Sequence, residues 1–282
     1  MECIDAYVGV GRSFYCLFYE ERAPGDHLSR VYWFADHDIA SLHLICEVEE
    51  WLVSIWANAR GELWGASWDG RIFRLAAEVT KVAATDLLGT IKLAGFSDEP
   101  DFLMGEDGFI FERKGSNWSQ IKFRGSFDVY SVAQRRERDF WFVGSGGKLL
   151  KYENGSPSLE RLPTNMDLHG IAFLDPDTGM IAGDEGVLLS FRSEEWTDIT
   201  DDRTSLPDVH AFKGRFVLCV EGERIDLVSR DGNRETSADR PGYYLSSNEQ
   251  QCVTFYEEAA MVFDGESWTA VPFGELISEE IE

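Results

Sequence analysis

Positive charge is scarce in this sequence. Against 51 Asp and Glu stand 26 Lys and Arg, a formal net charge of −25. Duplex nucleic acid and anionic membrane surfaces both require a cationic face, so neither is expected as a partner. The five cysteines, Cys3, Cys16, Cys46, Cys219 and Cys252, are scattered and form no CxxC pair. An odd, dispersed set fits reduced thiols in a cytoplasmic protein and not a disulfide framework. No uncharged apolar run approaches the ~18 residues of a membrane-spanning helix. The opening Met1-Glu2-Cys3-Ile4-Asp5 has neither the basic nor the apolar region of a secretory signal, so none is expected.

The signatures of catalysis and cofactor binding are missing too. The stretch Gly65-Ala66-Ser67-Trp68-Asp69 approaches a GxSxG nucleophile elbow and fails at its last position. The histidines are His27, His37, His43, His169 and His210, with no HExxH and no paired Cys/His spacing. There is no glycine-rich phosphate loop on a strand–helix junction. Arg135, Arg136 and Arg138 cluster in one turn and are expected to form a solvated charged loop. No enzyme activity, cofactor or metal is therefore expected. His169 and His210 recur at the same place in successive units, which makes them the weak candidates for a metal or anion site.

What the chain does have is aromatics and a repeat. Aromatic residues reach 13%, with nine tryptophans from Trp33 to Trp268, enough to bury a core and to favour strands. Phe102 to Phe111 matches Met180 to Leu189; Trp141 to Leu150 lies between them and Leu63 to Phe73 before them. Weaker copies run from Phe216 to Leu227 and from Val253 to Phe263. The anchoring glycines Gly70, Gly108, Gly147, Gly186 and Gly222 are 38, 39, 39 and 36 residues apart. Trp118 and Trp196 each follow their glycine by ten residues, a second marker with the same period. Each unit reads as four short strands joined by Gly, Asp and Asn turns, which is a propeller blade.

The fold class expected is all-β, a seven-bladed propeller forming one domain. The approximate blades are 1–50, 51–90, 91–128, 129–167, 168–208, 209–242 and 243–282. Six blades plus an N-terminal extension is the alternative. The first blade lacks the glycine signature, and Glu20 to Arg30 is expected to form a loop. The ring is expected to close by face packing, without strand exchange.

The pattern Gly105-Glu106-Asp107-Gly108-Phe109-Ile110 with Trp118, and Gly183-Asp184-Glu185-Gly186-Val187-Leu188 with Trp196, resembles bacterial BNR-type repeats. These occur in sialidase-like and photosystem II assembly factor-type propellers. The resemblance covers about five of the seven units and implies the fold. It leaves function open, because that superfamily hosts hydrolases, lectins and scaffolds.

The functional hint is positional. The turn between the second and third strands carries Asp69, Glu106 with Asp107, Asp184 with Glu185, Glu221 with Glu223, and Glu257 with Glu258. In a propeller these turns open on one face, joined there by Asp128, Asp167, Asp201, Asp202 and Asp208 from the connections between blades. Trp68 beside Asp69 would be an aromatic anchor on that face. These features suggest a binding protein, monomeric when free, whose partner is basic, since opposite fields speed encounter. An immunity protein occluding a cationic toxin such as a nuclease is the form that fits the charge. A scaffold or assembly factor, or a sialidase-like glycan-binding or hydrolytic propeller, is the alternative.

Overall fold

The computed structural model describes residues 2–36, 38–256 and 259–272. The chain is a seven-bladed β-propeller of four-stranded antiparallel sheets, drawn in order from residues 2–48, 52–84, 90–120, 129–161, 168–198, 209–238 and 246–272. Seven sheets exclude the six-bladed alternative. The helical elements among the described residues are three single turns of 3₁₀ helix, Glu106–Gly108, Ser145–Gly147 and Asp184–Gly186. Two compact units divide the contacts: residues 1–103 with 113–118 and 246–282, and residues 104–112 with 119–245.

In the second unit, blades 4 and 5 explain how the sequence makes a core. Trp141, Val143 and Leu149 of blade 4 pack against Leu168, Ile171, Ile181, Leu189 and Phe191 of blade 5. The middle strands bury both faces, so their residues read as apolar runs instead of alternating. Trp196, on the outer strand Glu195–Asp198, lies 5.0 Å from Phe191 and 6.0 Å from Trp141. The repeated tryptophan here fills the space between blade faces, where its large apolar area counts most.

In the first unit, Tyr15, Leu17 and Val31 of blade 1 pack against Leu52, Ile55 and Phe73 of blade 2. Blade 1 is long: its strands Phe14–Ala23, Asp26–Ala35 and Asp38–Val48 run ten or eleven residues. The segment expected as a loop, Glu20 to Arg30, is instead the end of a hairpin, with Glu20 opposite Leu28 and Glu21 opposite His27. Ion pairs such as Arg22–Asp26 and Arg30–Glu47, both 2.6 Å, clothe it. Charge on both strands hid the period-two pattern that normally marks a half-buried strand.

Each sheet comes from one contiguous segment, so closure uses no strand exchange. Face packing is not the whole of it. Asn248 Nδ2 donates to the carbonyls of Gly9 and Gly11, both at 2.9 Å, and Gln251 Nε2 donates to Ser13 O at 2.6 Å. The N–H of Val8 donates to Ser246 Oγ at 3.2 Å. The same device joins other neighbouring first strands. Asp5 Oδ2 accepts from Ile55 N at 2.8 Å and Ser54 Oγ from Leu93 N at 3.3 Å. Within the second unit Asp208 Oδ2 accepts from Leu245 N at 2.9 Å. First strands of adjacent blades belong to different sheets, and their unpaired N–H groups need acceptors, which these side chains supply.

Candidate functional site

The repeated turn is a strained, hydrogen-bonded unit. Its third residue is left-handed in three blades of the second unit: Asp107 (φ 56°), Gly146 (φ 70°) and Glu185 (φ 54°). The glycine that follows is also left-handed, and a Cβ at Gly147 or Gly186 would lie 2.0 Å from Thr164 O or Asp202 O. Backbone freedom and close approach both require glycine there.

The turns are tied to the connections between blades, both the one entering their own blade and the one entering the next. Asp107 N–H donates to Asp128 Oδ1 and Gly146 N–H to Asp167 Oδ1, both at 2.9 Å. Ser145 N–H donates to Asp128 O, Asp184 N–H to Asp167 O and Glu221 N–H to Ser205 O, all at 2.9 Å; Leu206 N–H reaches Gly183 O at 3.0 Å. Turn and connection alternate through the second unit in a continuous arc from Glu106 to Glu223.

The acids along the arc divide by what they touch. Glu106, Asp107, Glu185 and Glu221 are exposed. Asp128 and Asp167 hold the neighbouring turns in place through the backbone bonds just described. Asp184 Oδ1 lies 2.8 Å from His169 Nε2, whose ring stacks on Tyr130 at 5.3 Å. Burial, then the charges of Asp167 and Asp128, push the Tyr130 phenol up to about 12. Glu223 pairs with Arg224 at 2.5 Å. Asp202 and Asp201 pair with Arg224 and Arg234, which also enclose the buried Asp226. Asp208 is only 3% exposed and accepts from Val209 N–H and Leu245 N–H, so it contributes a structural joint and no surface charge.

His169 therefore has protein partners, and His210 sits in the strand Val209–Phe212. Among the described residues no three His, Cys, Asp or Glu side chains gather as a metal site; His37 lies outside those residues. The arginine cluster departs from expectation. Arg135 is buried, its guanidinium 5.0 Å from the Trp141 ring and 4.9 Å from Phe191, and it pairs with Glu194. It is a core residue, while Arg136 pairs with Asp177 at 3.2 Å.

The first unit carries the tryptophan candidate. Trp68 is 37% exposed and stacks on Trp51, with centroids 5.7 Å apart and planes 8° apart. Trp51 stacks in turn on Tyr19 and His27, each at 5.6 Å, and Tyr19 Oη lies 2.8 Å from His27 Nδ1. The end of the blade 1 hairpin thus backs a column of aromatic rings. Trp68 N–H donates to Trp51 O and Thr90 N–H to Trp68 O, both at 2.9 Å. Asp69 is engaged: Ser67 Oγ donates to it at 2.6 Å and Arg71 Nε at 2.8 Å, and Arg71 also pairs with Glu50. Burial alone would raise the Asp69 carboxyl; these hydrogen bonds outweigh it and hold the group below its ordinary range. Glu257 and Glu258 lie outside the described residues.

Sequence reasoning missed Trp51, Tyr19 and His27. The repeat register contained part of the signal. The bond from Trp68 N–H to Trp51 O is the counterpart of those from Ser145 to Asp128 and from Asp184 to Asp167. Blade 2 places two indoles where blades 4 and 5 place small or acidic side chains.

No family model matches the chain. It is similar to the photosystem II assembly lipoprotein Ycf48 of Synechocystis sp., 26% identical over 96 residues, which are 31% of this chain and 28% of that protein. Ycf48 of Synechococcus sp. is 30% identical over 95 residues, 30% of this chain and 28% of that protein. The photosystem II stability/assembly factor HCF136 of Arabidopsis thaliana is 29% identical over 100 residues, 32% of this chain and 25% of that protein. The matched region thus spans less than a third of each of these relatives, and none of the three bears the name of an enzyme. Among solved structures, the WD40 β-propeller domain of Doa1 superposes with a TM-score of 0.71 at 10% identity, covering 90% of this chain and 88% of that one. YCF48 bound to D1 peptide superposes at 0.68 with 12% identity, covering 93% and 90%. Saccharomyces cerevisiae Sqt1 superposes at 0.69 with 8% identity, covering 97% and 86%. At these identities the likeness is one of fold.

Proposed function

We propose that this chain is a non-catalytic protein-binding propeller of the scaffold or assembly-factor kind, which holds a basic segment of its partner. The observation that carries this reading is the pair Asp107 and Glu185. Both are exposed carboxylates in a left-handed conformation that the equivalent turn of blade 4 fills with Gly146. Keeping a charged L-residue where glycine fits costs stability, and such strain is retained where a side chain has a use. The net charge of −25 would steer a cationic partner toward this arc. The relatives named as assembly factors, and the fold shared with a protein solved with a bound peptide, support binding as the mode of action. Occlusion of a basic toxin is a second form of the same reading, favoured by charge alone. Five free cysteines, four of them buried, support the cytoplasm as the compartment for either form.

The test is binding of a labelled lysine- and arginine-rich peptide, measured at low and high salt. Two variants are compared. One neutralises Glu106, Asp107, Glu185 and Glu221; the other neutralises four exposed acids off the arc, Glu78, Glu153, Glu195 and Asp231. The arc variant is expected to bind about tenfold more weakly and with a shallower salt dependence. Equal losses in the two variants would mean that the charge acts only diffusely and would overturn the proposal.

A further inference from the structure

The aromatic column of the first unit can be assigned a ligand. We infer that the open face of Trp68 is the stacking surface for an arginine side chain of the partner. The partner's being a protein rests on the binding function proposed above; the chemistry of the contact comes from the column itself.

Trp68 is exposed without being loose. Its backbone is fixed on both sides, to Trp51 O and from Thr90 N–H, and its ring lies flat on Trp51. A slab held this way loses little conformational freedom when something stacks on it. Leu88, two residues before Thr90 and 64% exposed, adds apolar surface for a side-chain stem.

The surroundings select a cation. Glu50 and Asp69 flank the tryptophans and both accept from the single guanidinium of Arg71, so carboxylates here already suit a planar fork of donors. Glu49 beside them has a side chain 85% exposed, 3.9 Å from Arg22 at the closest approach. At the far end of the column the Tyr19 phenol is raised by burial and then by the charges of Glu21 and Glu2, the mark of a negative field.

Arginine suits the site better than lysine. A guanidinium is flat, weakly hydrated and able to stack on an indole while its edge still donates; an ammonium is a compact, strongly hydrated charge. The chain makes a related contact internally, where the Arg135 guanidinium lies over both the Trp141 and Phe191 rings and pairs with Glu194.

The experiment is a titration of the full chain, labelled with ¹⁵N at its indole nitrogens, with the blocked tripeptide acetyl-Gly-Arg-Gly-amide and its lysine and citrulline counterparts. Trp68→Leu assigns the Trp68 resonance by its disappearance. The arginine peptide is expected to shift that resonance and to bind about fivefold more tightly than citrulline, which keeps the shape and loses the charge. Lysine should fall between them. No shift at Trp68, or equal binding of arginine and citrulline, overturns the assignment. If Trp68→Leu collapses the dispersion of the other indole signals, Trp68→Phe replaces it and is expected to retain the arginine preference. The variant lacking the four arc acids should still show the Trp68 shift with the arginine tripeptide. Loss of the Trp68 shift with the arc effect intact would remove this inference and leave the binding function standing. The converse would remove the binding function and keep the stacking site.

Discussion

At the scale of single residues, conformation and charge leave separate, measurable marks. Glu185 carries the conformational strain of its turn, and Gly146 is the natural control at the equivalent place. Glu185→Gly is expected to raise the unfolding free energy by about 1 kcal/mol, from relief of the left-handed conformation offset by the glycine's extra chain entropy. It should at the same time weaken binding of the basic peptide. A denaturant series and the peptide titration check the two halves, and a gain in stability with unchanged binding would mean that the strained acid has no role there. Asp5 carries a charge effect. Burial is the largest influence on its carboxyl, and hydrogen bonds from Ile55 and Ser54 with the charge of Lys92 only partly counter it, so it is pushed up to about 6 from 3.8. A raised carboxyl favours the protonated form, so ionisation of Asp5 opposes folding. The opposition is absent below about pH 4, grows as pH rises toward 6, and is constant above. Asp5→Asn keeps an acceptor for Ile55 N–H and removes the charge. Its unfolding free energy relative to the parent should rise from near zero at pH 4 to about 1–3 kcal/mol at pH 7. A difference that does not change with pH would place Asp5 in an ordinary aqueous setting. The glycines of the turn were readable in advance because each needs its conformation locally. The functions of Asp5 and Asp208 were not, because the N–H groups they accept from, on Ile55 and Leu245, lie 50 and 37 residues away in sequence.

At the scale of the element, the blade is what the sequence states most clearly. Gly108, Gly147 and Gly186 with Trp118 and Trp196 mark a four-stranded unit because every blade solves the same packing problem between two neighbours. Blade 1 solves it differently. Its hairpin needs no tight glycine turn at the usual place, and charge on both strands masks its alternation, so Glu20 to Arg30 read as a loop. The candidate site suffered for the same reason. Trp68 stood out beside a turn, but Tyr19 and His27 reach it only because that hairpin is a pair of strands. The join between blades 1 and 7 is the element whose stability is most open to test. Gln251 is buried and gives its amide to Ser13 O, while Asn248 spans two carbonyls of the Gly9–Gly11 turn. Gln251→Leu keeps the volume and removes one of the two donors to the Ser13 carbonyl, leaving the Gly9 N–H at 2.8 Å, for an expected loss of about 1 kcal/mol. Asn248→Ala, at a more accessible place, should lose about 1 kcal/mol. Thermal unfolding of the two variants checks this, and no change in either would mean that these two amides contribute nothing to the join.

At the scale of the whole molecule two electrostatic effects oppose each other, and their balance sets how salt acts. Arginine–carboxylate pairs are numerous, from Arg22–Asp26 to Arg234–Asp201, but most involve exposed side chains, for which each pair contributes roughly 0–1 kcal/mol. Against them stands the surplus of 25 negative charges, whose mutual repulsion is greater in the folded state than in the extended chain. Salt weakens both, with a screening length of about 8 Å at physiological strength. Paired charges touch within about 4 Å and are screened little, whereas unpaired acids repel over longer distances and are screened strongly. Folding should therefore strengthen with salt: Tm is expected to rise by a few degrees between about 10 and 150 mM sodium chloride. Binding of a basic peptide should weaken over the same range, because there the long-range field is attractive. The two responses thus take opposite signs from one cause. A Tm that falls with salt would mean that the ion pairs outweigh the surplus charge in holding the blades. The excess of acids would then have to be explained by its partner alone.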